Sequence, residues 1–223
     1  MDIIKKLAQE LAIKEEQAKA AVQLIDEGNT IPFIARYRKE MTGALNDETL
    51  RNLHERLLYL RNLEEKKEQV INAITDQGKM TEDLKKKILS AETLVAVDDL
   101  YRPYRPKKQT RATKAKEKGL EPLANILLLQ KTTKSMEEEA AAFVNAEKGV
   151  ANAKEAIAGA KDIIAEMIAD MADYRKSIRN CTMKQGSLVV KAKDEKAESV
   201  YEMYYDFREP LSKVTGYRVL AIN

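Results

Sequence analysis

Asp47-Glu48-Thr49-Leu50-Arg51-Asn52-Leu53-His54-Glu55-Arg56-Leu57-Leu58-Tyr59-Leu60-Arg61-Asn62-Leu63-Glu64-Glu65-Lys66-Lys67-Glu68-Gln69-Val70-Ile71-Asn72-Ala73-Ile74-Thr75-Asp76-Gln77 contains neither glycine nor proline. Leu50, Leu53, Leu57 and Leu60 recur at steps of three and four, and Val70, Ile71 and Ile74 resume the pattern, which predicts one long helix. Asp47 can cap its start and Gly78 can end it. Glu64 and Lys67 interrupt the stripe, so the helix is not a sustained heptad seam. We expect it to be packed at both ends and more exposed in its middle.

Outward from this helix the signals remain helical. Gly, Pro and aromatic residues are scarce among the 223 residues, which favours helices over sheets. On the N-terminal side, Asp2 to Ala12 and Lys14 to Glu27 read as two helices, with Ile3, Ile4, Leu7 and Leu11 on one face of the first and Ala18, Ala21, Val22 and Ile25 on one face of the second. Gly28-Asn29 stops the second, and Thr30 can cap a third that carries Pro32 in its first turn. Three short helices with tight turns fit a helix-turn-helix and fit other helical bundles equally well.

On the C-terminal side, Thr81 can cap a helix with Leu84, Ile88 and Leu94 inward, making an antiparallel hairpin with the long helix. Gly119 to Leu129 is a short apolar helix. Ser135 and Glu138 form a capping box for a helix through Ala146. From Asn152 to Gly186 the residues Ile157, Ala160, Ile164, Met167, Met171, Tyr174, Ile178 and Cys181 predict a single helix with one buried stripe, its methionines serving as core filler. Residues 187–191 are short and β-branched and suit a strand or extended piece, 195–205 reads as helix, and Pro210 starts a last turn or helix. The expected fold is mainly all-α: an elongated multi-helix array with a helix-turn-helix-like N-terminal unit and at most one short β element near 187–193. The expected divisions are 1–45, 46–132 and 133–223.

Charge is mixed almost everywhere; 34% of residues are charged and the net charge is only +3. The exception runs from Arg102 to Lys116, where Arg102, Arg105, Lys107, Lys108, Arg111, Lys114 and Lys116 are accompanied by no carboxylate. Pro103 and Pro106 disfavour the helical region for the residues before them, so this segment should begin as an extended loop. Tyr101 and Tyr104 stand just ahead of the cations. Cations bind phosphates and aromatic faces can stack on bases, so one reading is a nucleic-acid contact. The other is a solvated connector whose tyrosines and prolines pack on neighbouring helices.

Catalytic chemistry has little to draw on. His54 is the single histidine and Cys181 the single cysteine, each at an ordinary helical position, and neither a phosphate-binding loop nor a glycine-rich dinucleotide motif occurs. Asp98-Asp99 and Asp47-Glu48 read better as caps or solvated carboxylates than as metal ligands. We therefore expect no enzyme, no metal and no cofactor. One cysteine permits no disulfide within the chain, in keeping with a reducing cytoplasm. No apolar run reaches membrane-spanning length.

Two longer stretches carry a specific resemblance. Thr30-Ile31-Pro32-Phe33-Ile34-Ala35-Arg36-Tyr37-Arg38-Lys39-Glu40-Met41-Thr42-Gly43 resembles the signature of the Tex family, bacterial transcription accessory proteins. Asp99 to Lys107, Thr110-Arg111-Ala112-Thr113 and Gly119-Leu120-Glu121-Pro122-Leu123-Ala124 are similar to a second run of that family, and residues 158–166 and 204–211 match further on. Family members continue into a ribonuclease-H-like YqgF domain, a tandem helix-hairpin-helix region and an S1 domain. A family His-Arg-x-Leu-Ala segment is present here as Tyr217-Arg218-Val219-Leu220-Ala221, with the histidine replaced. The resemblance thus implies an N-terminal fragment, with the main nucleic-acid binder elsewhere in the family architecture.

The expected function is the helical scaffold region of a Tex-type RNA- or DNA-binding protein. It would make a weak, phosphate-led and non-specific contact through Arg36, Arg38, Arg102, Arg105, Lys107, Lys108, Arg111 and Lys114. The alternative is a protein-interaction module that docks the transcription machinery and binds no nucleic acid itself.

Overall fold

The computed structural model describes residues 2–106, 108–194 and 196–222. It divides into two compact units, Met1–Tyr104 and Arg105–Asn223.

In the first unit, α1 (Ile3–Leu11), α2 (Glu15–Asp26) and α3 (Ile31–Tyr37) precede α4 (Asp47–Asp76), the long helix. The side chain of Asn46, rather than that of Asp47, caps α4 by accepting from the Thr49 amide at 2.7 Å. Asp47 instead pairs with Arg51 one turn on. Next come α5 (Glu82–Ser90) and α6 (Leu94–Tyr101), followed by a 3₁₀ turn, Arg102–Tyr104. The sequence reading joined α5 and α6. Thr93 separates them by accepting from the Ala96 amide and capping a new helix.

Two cores lie along α4. Leu50, Leu53, Leu57 and Leu60 pack with Leu7, Ala18, Ala21, Leu24 and Ile34, while Leu63, Val70 and Ile74 pack with Ile88, Ala91 and Val97. The expectation of an exposed middle is overturned, because Leu63 is 0% and Lys67 2% exposed. The Lys67 ammonium donates to Glu64 Oε1 at 2.8 Å and to the Leu89 carbonyl at 2.9 Å. Its methylene stem continues the leucine stripe and its charge is satisfied at the tip. Burial pushes the Glu64 carboxyl upward, and the Lys67 hydrogen bond and nearby positive charge outweigh it, leaving the group below its usual range.

Two arginine forks tie the short helices to α4. Arg56 donates to Glu10 of α1 at 2.5 and 2.8 Å, and Arg61 donates to Asp26 of α2 through two 2.7 Å bonds. These hydrogen bonds hold both carboxyls below their ordinary range against a smaller effect of burial, with charge attraction helping.

The second unit starts with α7 (Arg111–Glu117), α8 (Glu121–Leu129) and α9 (Met136–Ala141). All three pack on α10 (Ala153–Asp170), where Ala156, Ile157, Ala160 and Ile163 are buried against Ala112, Ala115, Leu120 and Leu123. A Cβ on Gly159 would fall 2.4 Å from Leu120 Cδ1 and 3.2 Å from Ala115 Cβ. The absent side chain is what permits this close approach. The Ser135 capping box forms, but α9 ends at Ala141, five residues short of the expected end at Ala146.

The single helix expected from Asn152 to Gly186 is two. Met171 is extended (φ −72°, ψ 118°) and separates α10 from α11 (Ala172–Gln185). Arg175 reaches back to the Ala169 carbonyl, which the break deprives of its helical partner. The stripe is buried only in its first part. Met167, Met171, Tyr174 and Ile178 are exposed, as is Cys181, and α11 has no buried residue.

After Gly186, β1 (Ser187–Lys191) forms where an extended piece was expected. Its antiparallel partner β2 (Asp206–Pro210), paired Ser187 to Pro210 through Lys191 to Asp206, was not foreseen. The helix expected over 195–205 does not form among the described residues. Only a 3₁₀ turn, Glu202–Tyr204, is present there, and Val200, Tyr201 and Met203 are exposed. The last helix is α12 (Gly216–Ile222). No helix among the described residues is long and apolar enough to cross a membrane.

Lys67→Ala should destabilise the first unit by about 1–3 kcal/mol, since it leaves the Leu89 carbonyl without its donor and opens a cavity beside Leu63. Lys67→Met, which keeps the stem, should lose less; urea unfolding of both variants checks the order. The Glu10 and Asp26 carboxyls, depressed in the fold, stabilise it above their unfolded pKa values near 4 and stop doing so as pH falls through the folded values. An Arg56→Gln/Arg61→Gln variant should therefore be less stable than the parent at pH 7, by under about 1 kcal/mol per pair at these part-exposed sites. The gap should narrow in urea titrations near pH 3.

Candidate nucleic-acid interface

The stretch from Thr30 to Gly43 divides into residues that build the fold and residues that face water. Ile34 is fully buried in the core with Leu50 and Leu53. Thr42, also fully buried, has its hydroxyl within reach of the Arg38 and Lys39 carbonyls at 3.3 and 3.4 Å. Gln17 of α2 donates to the carbonyls of Thr42 (3.2 Å) and Gly43 (3.0 Å). Gly43 has φ +59°, which favours glycine, and a Cβ there would stand 2.7 Å from Gln17 Nε2 and displace that amide from its bonds. These contacts fix the turn that follows α3.

On that fixed frame the remaining side chains project outward. Arg36, Arg38 and Lys39 are exposed, and so are Phe33, Tyr37 and Met41, with Tyr37 66% exposed. The Phe33 and Tyr37 rings lie 5.3 Å apart, tilted by 45°. The Arg38 guanidinium sits 5.1 Å from the Phe33 centroid. A shallow concavity of about 300 Å³ runs along residues 36–41.

The basic run does not begin as an extended loop. Arg102 is helical (φ −52°, ψ −42°) and continues from α6 into the 3₁₀ turn. Pro103 is accommodated there because Tyr101 and Tyr104 pack against the core with Ile88 and Val97, and Gln77 donates to the Tyr104 carbonyl at 2.9 Å. Both tyrosines therefore follow the connector reading, with packing their main role. Arg102 and Arg105 are exposed and have protein partners. Lys107 lies outside the described residues.

Beyond it the run enters the second unit. Thr110 caps α7 by accepting from the Thr113 amide at 3.0 Å, and its hydroxyl donates to Glu166 of α10 at 2.9 Å. Ala112 and Ala115 are buried against α10. Arg111 approaches Asp162 at 3.4 Å, yet its side chain is 86% exposed. Lys116 lies 3.4 Å from Glu121. Lys108 and Lys114 are exposed and make no ion pair among the described residues.

Residues 1–75 match the family profile of the Tex-like protein N-terminal domain, and residues 131–222 match that of the Tex central region. The chain belongs to the Tex family. Among its relatives, the transcriptional accessory protein Tex of Neisseria gonorrhoeae is 41% identical over 225 residues, covering 100% of this chain and 29% of that protein. YhgF of Escherichia coli is 46% identical over 219 residues, or 97% of this chain and 28% of the relative. The human S1 RNA-binding domain-containing protein 1 is 31% identical over 232 residues, or 100% and 23%. The chain thus spans under a third of the length of each.

In this Tex chain the site residues expected from sequence fall into separate sets. Arg36 and Arg38 share the end of α3, while Arg111 and Lys114 share α7. Sequence reading passed over Phe33, Tyr37 and Lys39. The available signal was the four-residue step from Phe33 to Tyr37 on a helix whose inward position is Ile34. It also missed that Thr110 and Ala112 dock α7 on α10, the first through Glu166. Thr110→Val should lower the stability of the second unit by about 1–2 kcal/mol through loss of the cap. Arg111→Ala, at an exposed ion pair, should change it by under about 1 kcal/mol; thermal unfolding of both variants makes the comparison.

Proposed function

We propose that this Tex-family chain is a non-catalytic, cytoplasmic helical scaffold that makes a weak, phosphate-led contact with RNA or DNA. The observation that carries the reading is on α7. Its apolar side docks on α10 while Arg111 and Lys114, with Lys108 just ahead of the helix, remain in water. An exposed cationic edge on a fixed helix suits a polyanion, and flexible lysines and arginines on phosphates position a partner without reading its sequence. Arg102, Arg105 and Lys107 extend that edge in sequence, and Arg36 and Arg38 add a second patch. The names of the gonococcal and human relatives, a transcriptional accessory protein and an S1 RNA-binding domain-containing protein, agree in kind with a nucleic-acid partner.

A salt series with labelled single-stranded RNA and duplex DNA tests this. The wild type should lose affinity steeply between 50 and 200 mM salt. Changing Lys108, Arg111 and Lys114 together to Ala should weaken binding to both ligands and reduce the salt slope by about 2 for the single strand and about 3 for the duplex. Affinity independent of salt would refute the proposal.

A second reading, docking of a protein such as the transcription machinery, is favoured by one observation. Met167, Ile168, Met171, Tyr174 and Ile178 leave an apolar band exposed at the end of α10 and along α11. Exposed bands of this kind are characteristic of interaction surfaces.

A further inference from the structure

The outward half of the Thr30–Gly43 stretch is not explained by folding. Ile34, Thr42 and Gly43 account for how α3 and its turn are held. Phe33, Tyr37 and Met41 contribute large apolar surfaces that face water, next to Arg36, Arg38 and Lys39. The two rings are tilted by 45° rather than stacked face to face, and Tyr37 is largely exposed. Arg38 is drawn over Phe33, an arrangement that holds a guanidinium beside the rings through its attraction to the π face.

We infer that Phe33, Tyr37 and Arg38 form a stacking platform for an unpaired base, with Arg36 and Lys39 taking the flanking phosphates. The ligand is single-stranded nucleic acid. Charge complementarity selects it: three cations against Glu40 alone in residues 36–41 suit a polyanion, and the exposed rings suit a partner that carries flat π faces as well as phosphates. A duplex presents its phosphates but keeps its bases stacked on one another, so it gains the cations and loses the rings. The concavity along residues 36–41 is open and shallow, which suits a base laid on a surface. The turn that follows is held by hydrogen bonds from Gln17 and Thr42 to its carbonyls. The platform is therefore ordered before a ligand arrives, which lowers the entropy lost on binding. This inference rests on the phosphate-led reading above and adds to it a second site and a preference for single strands.

The test compares a fluorescein-labelled single-stranded RNA of twelve nucleotides with a duplex of the same sequence, measured by anisotropy across a salt series. Phe33→Ala/Tyr37→Ala should weaken single-strand binding about tenfold, the loss of roughly one stacked base. The salt slope should stay the same and duplex affinity should change less than about twofold. Tyr37→Trp, which enlarges the π face, should retain or tighten single-strand binding. Far-UV circular dichroism confirms that the exposed substitutions leave the helices intact. If the double variant binds single strands as the wild type does, while the Lys108/Arg111/Lys114 variant loses affinity, the platform is refuted and the phosphate contact stands. If the wild type binds neither ligand, both fail. Equal losses for single strand and duplex would also refute the platform.

Discussion

A thirty-residue helix can serve two cores only if its buried stripe never leaves the interior. In α4 that continuity depends on Lys67. A leucine there would satisfy the packing but leave the Leu89 carbonyl without its donor. A solvated lysine would satisfy the charge but separate Leu63 from Val70. The observed side chain does both, with four methylenes in the stripe and an ammonium held by Glu64 and Leu89. The bonds reach from α4 to the end of α5, so the charge also fixes where the second core closes. The two arginine forks act on the other half of the same helix, setting α1 and α2 in register with α4.

That register reaches the candidate surface. Because α2 packs on α4 through Ala18, Ala21 and Leu24, Gln17 is presented to the turn after α3, where the positive φ of residue 43 favours glycine. The outward aromatic and cationic residues therefore project from a frame built by α2 and α4. The second unit follows the same logic with different chemistry. Gly159 and the alanines of α7 and α10 let helices approach closely, and Thr110 locks the helix end through its bond to Glu166. Docking consumes the small residues of α7 and leaves its long cations in water.

The same stretch of sequence thus carries two messages, one for packing and one for recognition, and periodicity separates them. In α3 the division lies between Ile34 and its neighbours Phe33 and Tyr37. In α7 it lies between Ala112 and Ala115 on one side and Arg111 and Lys114 on the other. Tyr101 and Tyr104 show how composition misleads: aromatics beside a basic run look like a binding face, yet they fill the second core. Phe33 and Tyr37 of α3, outside that run, face water instead.

By itself the sequence determined that the protein is mainly helical, where α1 and α2 begin and end, where α3 begins, and which cations stand apart from carboxylates. These follow from local chemistry: caps, glycine stops, apolar spacing and charge counting act within a few residues. It did not determine that the middle of α4 is buried, because a lysine reads as polar until a carbonyl from α5 is placed at its tip. Nor did it determine that the Asn152–Gly186 stripe is covered only at its beginning, because periodicity records which face is apolar and not what lies against it. The pairing of β1 with β2 joins segments more than a dozen residues apart, beyond the reach of local propensity. Tertiary structure alone decided these points, since each depends on the free energy of contacts between residues distant in the chain.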